Sequence, residues 1–166
     1  MPGLDRFNAL PADQARRELV ACCAAQRFAE AVAEARPYPH EEALRETADK
    51  ALADLDWADV SQALAAHPRI GERATGDGRE ASWSAAEQSA AAAGDADVRQ
   101  QIIAGNVAYE QRFGHVFLIC AAGRPAEEIL ADLTARLDHD PAEERQVVRE
   151  ELRKIVYLRL EKVLSA

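Results

Sequence analysis

Residues 115–123, HVFLICAAG, are the only run in this chain that reads as both extended and buried. A β-strand needs a neighbour to take up its backbone N–H and C=O groups. No second run of that kind exists to serve as one, so no sheet is expected. The remaining apolar residues must then be buried by helices. The punctuation agrees: long stretches of Ala, Leu, Glu and Arg, all good helix formers, are separated by proline and glycine.

Residues 11–35 read as helical in two pieces, and Arg36-Pro37-Tyr38-Pro39 ends them. Helices follow at 40–55 and 57–66. Residues 67–82 carry Pro68, Gly71, Gly76 and Gly78 and read as a loop, the longest irregular stretch in the chain. An alanine-rich helix is expected at 84–93, ended by Gly94. Val98, Ile102, Tyr109 and Phe113 keep helical spacing up to Gly114. Pro125 opens a helix to about residue 137, and Pro141 opens a last one to about residue 164. The expectation is an all-α, compact single-domain bundle of about eight helices spanning residues 1–166. It has one extended apolar segment (115–123) and no sheet.

With 29 acidic against 20 basic side chains the net charge is −9, a field that repels nucleic acid. No apolar run approaches the roughly 18 residues of a membrane span. The N-terminal MPGLDRFNAL lacks the pattern of a secretory signal, and the C-terminal EKVLSA is no peroxisomal address. Three cysteines, Cys22, Cys23 and Cys120, fit neither a disulfide framework nor a zinc cluster. Reduced thiols in a cytoplasm are the simplest expectation.

Few residues invite chemistry. Arg159 falls in the apolar stripe Val148, Leu152, Ile155, Arg159, Val163 of the last helix. It is either a structural cation or the positive spot that a small anion would need in so acidic a chain. Ser84-Ala85-Ala86-Glu87 has the form of a helix capping box. That would place Glu87 and Gln88 at a helix N-terminus, where backbone N–H groups favour an anion or a polar ligand. His67 ends a helix before Pro68, and it reads alone as a surface histidine or as an acid–base group. His40, His115 and His139 lack metal-ligand spacing with it, and no metal is expected. Cys120 sits in an apolar run, where burial makes a thiol inert. No phosphate loop, dinucleotide fingerprint or nucleophile elbow is present. Composition and spacing leave open an enzyme, or an all-α binding module without catalysis.

AAHPRIGE, SAAEQ, NVAYEQRFGHVFLICAAGR and IVYLRLEKVL, in this order and at these distances, resemble the family of 2-oxo-4-hydroxy-4-carboxy-5-ureidoimidazoline (OHCU) decarboxylases of urate degradation. The resemblance covers residues 4–164. It departs at Ala24-Ala25 and Phe28, where relatives commonly have Gly-Ser and Trp.

The resemblance implies an all-helical homodimer that uses no cofactor and converts a small anionic ureidoimidazoline to (S)-allantoin and carbon dioxide. By correspondence, the catalytic residues are His67, Glu87 and Arg159. Pro68, Ser84 and Gln88 would contact substrate. Ile119, Cys120, Ala121, Ala122 and Gly123 would do so largely through their backbone. A related enzyme acting on another ureido or imidazoline anion would suit the same residues.

Overall fold

The computed structural model describes residues 2–72 and 78–166. The described residues form ten helices and no strand, so the all-α expectation holds. They are α1 (Pro2–Ala9), α2 (Ala12–Cys22), α3 (Gln26–Glu34), α4 (Glu41–Ala53), α5 (Trp57–Leu64), α6 (Arg79–Glu87), α7 (Ser89–Ala92), α8 (Ala96–Phe113), α9 (Ala126–Arg136) and α10 (Pro141–Ser165). The chain divides into two compact units. One runs up to Ala63 and takes in Arg153–Ala166, and the other is Leu64–Leu152. Among the described residues no helix is long and apolar enough to cross a membrane.

Capping chemistry accounts for several helix starts. Asp95 Oδ1 accepts from Asp97 N (2.7 Å) at the head of α8, and Asp140 Oδ1 accepts from Glu143 N (2.8 Å) ahead of Pro141. Asp56 and Asp59 bond reciprocally at the start of α5, side chain to backbone in both directions. His40 takes this role for α4, its Nδ1 accepting from Ala43 N at 3.1 Å. Gly114 ends α8 in the left-handed conformation (φ 79°).

In the first unit, Leu4, Phe7, Leu19, Phe28, Val32 and Leu44 are fully or almost fully buried. Side chains close the helix ends. Arg36 Nη1 donates to Phe7 O and Leu10 O, both at 2.8 Å, satisfying carbonyls at the end of α1 that have no partner within the helix. Asn8 and Tyr38 exchange bonds, Nδ2 to Tyr38 O (3.0 Å) and Tyr38 N to Asn8 Oδ1 (2.9 Å).

The second unit buries Ile70, Ile102, Tyr109, Phe117, Ile129 and Leu133 in one cluster, with α8 packed along α9. Here lies the run expected to be extended, of which residues 116–121 are neither helix nor strand. These residues have no strand partner, and side chains take that place: Arg136 Nη1 donates to Leu118 O (2.8 Å), and Cys120 N donates to Glu151 Oε1 (3.1 Å).

Two expectations need correction. The loop at 67–82 is shorter than expected, because α6 begins at Arg79; Gly76 lies outside the described residues. The helix at 84–93 is two helices, broken at Gln88. The first helix, α1, precedes the first stretch expected to be helical, and it opens on Pro2, since proline suits a first helical turn.

Candidate active site

His67 lies just beyond α5, where its backbone N–H donates to Leu64 O (3.0 Å) and closes a final turn. Pro68 forbids a regular continuation. His67 and Pro68 are half-buried, whereas Ile70 is 7% exposed and pinned in the apolar cluster. Gly71 then turns the chain at φ 93°, a conformation that a side chain would strain.

The peptide between these points is gripped by side chains. Gln88 Oε1 accepts from Gly71 N (3.0 Å), and its Nε2 donates to Arg69 O (3.4 Å). Asn106 Nδ2 donates to Ile70 O at 3.0 Å. The Arg69 guanidinium makes two bonds to Glu110, Nε to Oε2 at 2.7 Å and Nη2 to Oε1 at 2.9 Å, and it also pairs with Glu72. Those carboxylates push the Arg69 pKa further up.

Ser84 and Glu87 are both buried, at 6% and 9% exposure, and their spacing of three puts them on one face of α6. The capping-box reading fails, however. Gly78 is the N-cap of α6, Ser84 lies inside the helix, and Glu87 is its last residue. Glu87 therefore sits at a helix C-terminus, where the dipole does not favour a carboxylate. Gln88 is at once the C-cap of α6 and the N-cap of the short α7. Its amide thus ties the junction beside Glu87 to the turn beyond His67.

Of residues 119–123, Ile119 and Ala121 are buried, Cys120 is half-buried, and Ala122 and Gly123 are exposed. Gly123 has φ 71°. Behind this segment lies a network that the sequence reading missed. Glu144, fully buried, accepts from Arg136 Nε and Nη2 (2.9 and 2.6 Å) and from the Tyr109 hydroxyl. His139 Nδ1 lies 3.2 Å from the same carboxylate. Arg136 also lies over the Phe117 ring, 4.4 Å from its centroid. Burial, reinforced by Glu144, pushes the Tyr109 hydroxyl well above its usual range. The signal was available in principle. Ile129, Leu133 and Arg136 keep the spacing of a helical stripe, and Glu144 lies four residues before Val148 of the α10 stripe.

Arg159 belongs to the first unit. The stripe read for α10 is real, since Val148, Leu152, Ile155, Arg159 and Val163 are all buried. Arg159 Nη1 donates to Ala21 O (3.0 Å), a carbonyl in the last turn of α2. Its charge favours the Cys23 thiolate weakly, but burial dominates and pushes that thiol up to about 11. Among the described residues, no three His, Cys, Asp or Glu side chains group as a metal site would require.

This is an all-α protein that carries a histidine and a carboxylate at helix ends, with the histidine's turn anchored by side-chain bonds. Residues 8–161 match the OHCU decarboxylase family, and the chain belongs to it. The 2-oxo-4-hydroxy-4-carboxy-5-ureidoimidazoline decarboxylase of Amia calva is 34% identical over 142 residues, 82% of this chain and 79% of that one. The uric acid degradation bifunctional protein TTL of Arabidopsis thaliana is 33% identical over 87% of this chain, which spans only 45% of that protein's length. A crystal structure of an OHCU decarboxylase in the presence of (S)-allantoin superposes with a TM-score of 0.78 at 32% identity, covering 90% of this chain and 98% of that one. A crystal structure of (S)-allantoin synthase, 17% identical with a TM-score of 0.72 over 96% of this chain and 53% of that one, shares the fold.

Proposed function

We propose that this chain decarboxylates OHCU, releasing carbon dioxide and forming (S)-allantoin, in urate degradation. The observation that carries the reading is the family match across residues 8–161, which includes the His67-Pro68, Ser84-to-Gln88 and 119–123 segments.

The substrate's own structure makes the reaction feasible. One ring carbon holds both the carboxylate and a hydroxyl, beside an imine carbon that bears the ureido group. When the bond to the carboxylate breaks, carbon dioxide leaves, the electron pair moves into the imine, and the imine nitrogen takes a proton. The resulting enol then takes a proton on the ureido-bearing carbon, while its hydroxyl becomes the ring carbonyl. The substrate is thus its own electron sink, and the protein must supply position and protons.

In this reading His67 moves the proton, since an imidazole exchanges one readily near neutral pH. Glu87 orients the imidazole and favours its protonated form. Arg159 takes up the substrate's negative charge. Pro68, Ser84, Gln88 and the backbone of Ile119, Cys120, Ala121, Ala122 and Gly123 hold the ring and ureido groups. Proton delivery from one face makes a single enantiomer. We further assign the chain to a reducing cytoplasm as a homodimer; light scattering of the purified protein tests the dimer.

The decisive experiment follows the ultraviolet absorbance of freshly generated OHCU. The wild-type chain should accelerate its loss and yield (S)-allantoin. His67→Ala should lose about 10²–10⁴ of the rate while folding normally. A wild-type protein with no effect on OHCU would end this reading, and a fully active His67→Ala would remove the histidine from it.

A further inference from the structure

Of the four side chains that grip the peptide after His67, Gln88, Glu72, Asn106 and Glu110, the last two come from one face of α8. Asn106 holds Ile70 O, and Glu110, one turn further along, holds the Arg69 guanidinium at two points. A separation of four residues puts both on the same side of the helix. The Asn106 amide is 4% exposed, so its donor satisfies a carbonyl that burial would otherwise leave costly. Arg69 is half-exposed, and as an isolated pair its contact with Glu110 would add little stability. Its two-point geometry does more than attract: it fixes the plane of the guanidinium, while Glu72 Oε2 accepts from the Arg69 backbone N–H at 3.1 Å. With Ile70 in the apolar cluster and Gly71 in its left-handed turn, the segment leaving His67 is held at Arg69, Ile70 and Gly71.

We propose that Asn106 and Glu110 are positioning residues for His67. Acting through the Ile70 backbone and the Arg69 side chain, they set where the imidazole stands during proton transfer. The inference rests on the role given to His67 above. Neither residue touches the imidazole in this scheme, and neither exchanges a proton with substrate. A misplacement of about 1 Å at a reacting group can cost on the order of 10²-fold in rate, so a modest slackening of this turn should register in turnover.

Three variants test it. Asn106→Asp keeps the shape but sets an acceptor against the Ile70 carbonyl. Glu110→Gln keeps the size and removes the charge, and Glu110→Asp keeps the charge. The expected result is a kcat for OHCU lowered about 10–100-fold in Asn106→Asp and several-fold in Glu110→Gln, with KM changed less than about threefold. Glu110→Asp should fall between Glu110→Gln and wild type. A second measurement needs no substrate. The imidazole carbon–proton NMR signal of His67, assigned by its loss in His67→Asn, should shift in Asn106→Asp and Glu110→Gln while that of His40 stays in place. Variants that keep wild-type kcat and an unmoved His67 signal overturn the proposal. Should Asn106→Asp fail to fold, the pair at Glu110 is exposed enough for its variants to decide alone. If the wild type leaves OHCU untouched, the functional reading fails, and the NMR measurement still decides whether α8 positions the imidazole.

Discussion

Glu144→Leu is the variant whose cost follows most directly from the structure. Glu144 is 0% exposed and receives two bonds from Arg136 Nε and Nη2, at 2.9 and 2.6 Å, together with the Tyr109 hydroxyl. Replacing it leaves the Arg136 guanidinium, itself 5% exposed, with Leu118 O and two aromatic faces but no counter-charge. Breaking a buried pair from one side costs about 3–5 kcal/mol, most of it from the stranded charge. For a chain of this size that corresponds to a melting temperature lower by roughly 6–20 °C. The double variant Glu144→Leu with Arg136→Met removes both charges and should recover most of the loss, because apolar replacement of a whole pair is often neutral. Scanning calorimetry of wild type, both single variants and the double gives the coupling directly. If Glu144→Leu melts within 2 °C of wild type, or if the double variant is worse than the sum of the singles, the pair does not act as argued (the 2 °C margin is roughly 1 kcal/mol or less).

Other outcomes follow from single residues. Arg159→Leu separates two roles: as an α2 cap alone its loss costs about 1 kcal/mol with kcat/KM intact, whereas as the substrate cation its loss should lower kcat/KM at least about tenfold, read in the OHCU assay. Gly71→Ala must hold a methyl at φ 93°, so calorimetry should show a loss of about 1–3 kcal/mol, with a drop in turnover as the turn shifts. The Cys23 thiol, raised by burial from 9.0 to about 11, is protonated in the folded chain at pH values where the unfolded chain has released its proton. Its contribution is therefore complete below pH 9 and is lost as the pH climbs through 11; chemical denaturation across that range should show stability falling by on the order of 2–3 kcal/mol, less so in Cys23→Ala.

Most of the fold was legible because proline and glycine mark where helices stop. Pro11, the Arg36-to-Pro39 break, Gly114, Pro125 and Pro141 all lie at or within two residues of a helix boundary. The errors sit where one pattern has two physical meanings. Ser84 and Glu87 fit a capping box, but the same spacing places two residues on one helix face, and only packing reveals that both are buried. Arg79 to Trp83 lacks an apolar stripe, so nothing local announces the start of α6. Arg159 was found as a charge inside a stripe. Arg136 and Glu144 obey the same logic, yet they interrupt two different helices and make sense only as a pair. The residues that the resemblance implies for the site could all be named from the sequence. The side chains that hold the turn after His67 and the Cys120 amide, Asn106, Glu110 and Glu151, could not, because their bonds run to backbone or across many residues of sequence.

The extended segment has a further consequence, for solubility during folding. A short apolar run such as Val116 to Ala121, rich in β-formers and without charge, is the kind of window that recruits copies of itself when its backbone is open. In the finished chain Arg136 occupies the Leu118 carbonyl and Glu151 occupies the Cys120 amide, two rungs on which an incoming strand would pair. Those two side chains act as gatekeepers as well as scaffolding. A chain that has not yet closed them is the form most exposed to self-association.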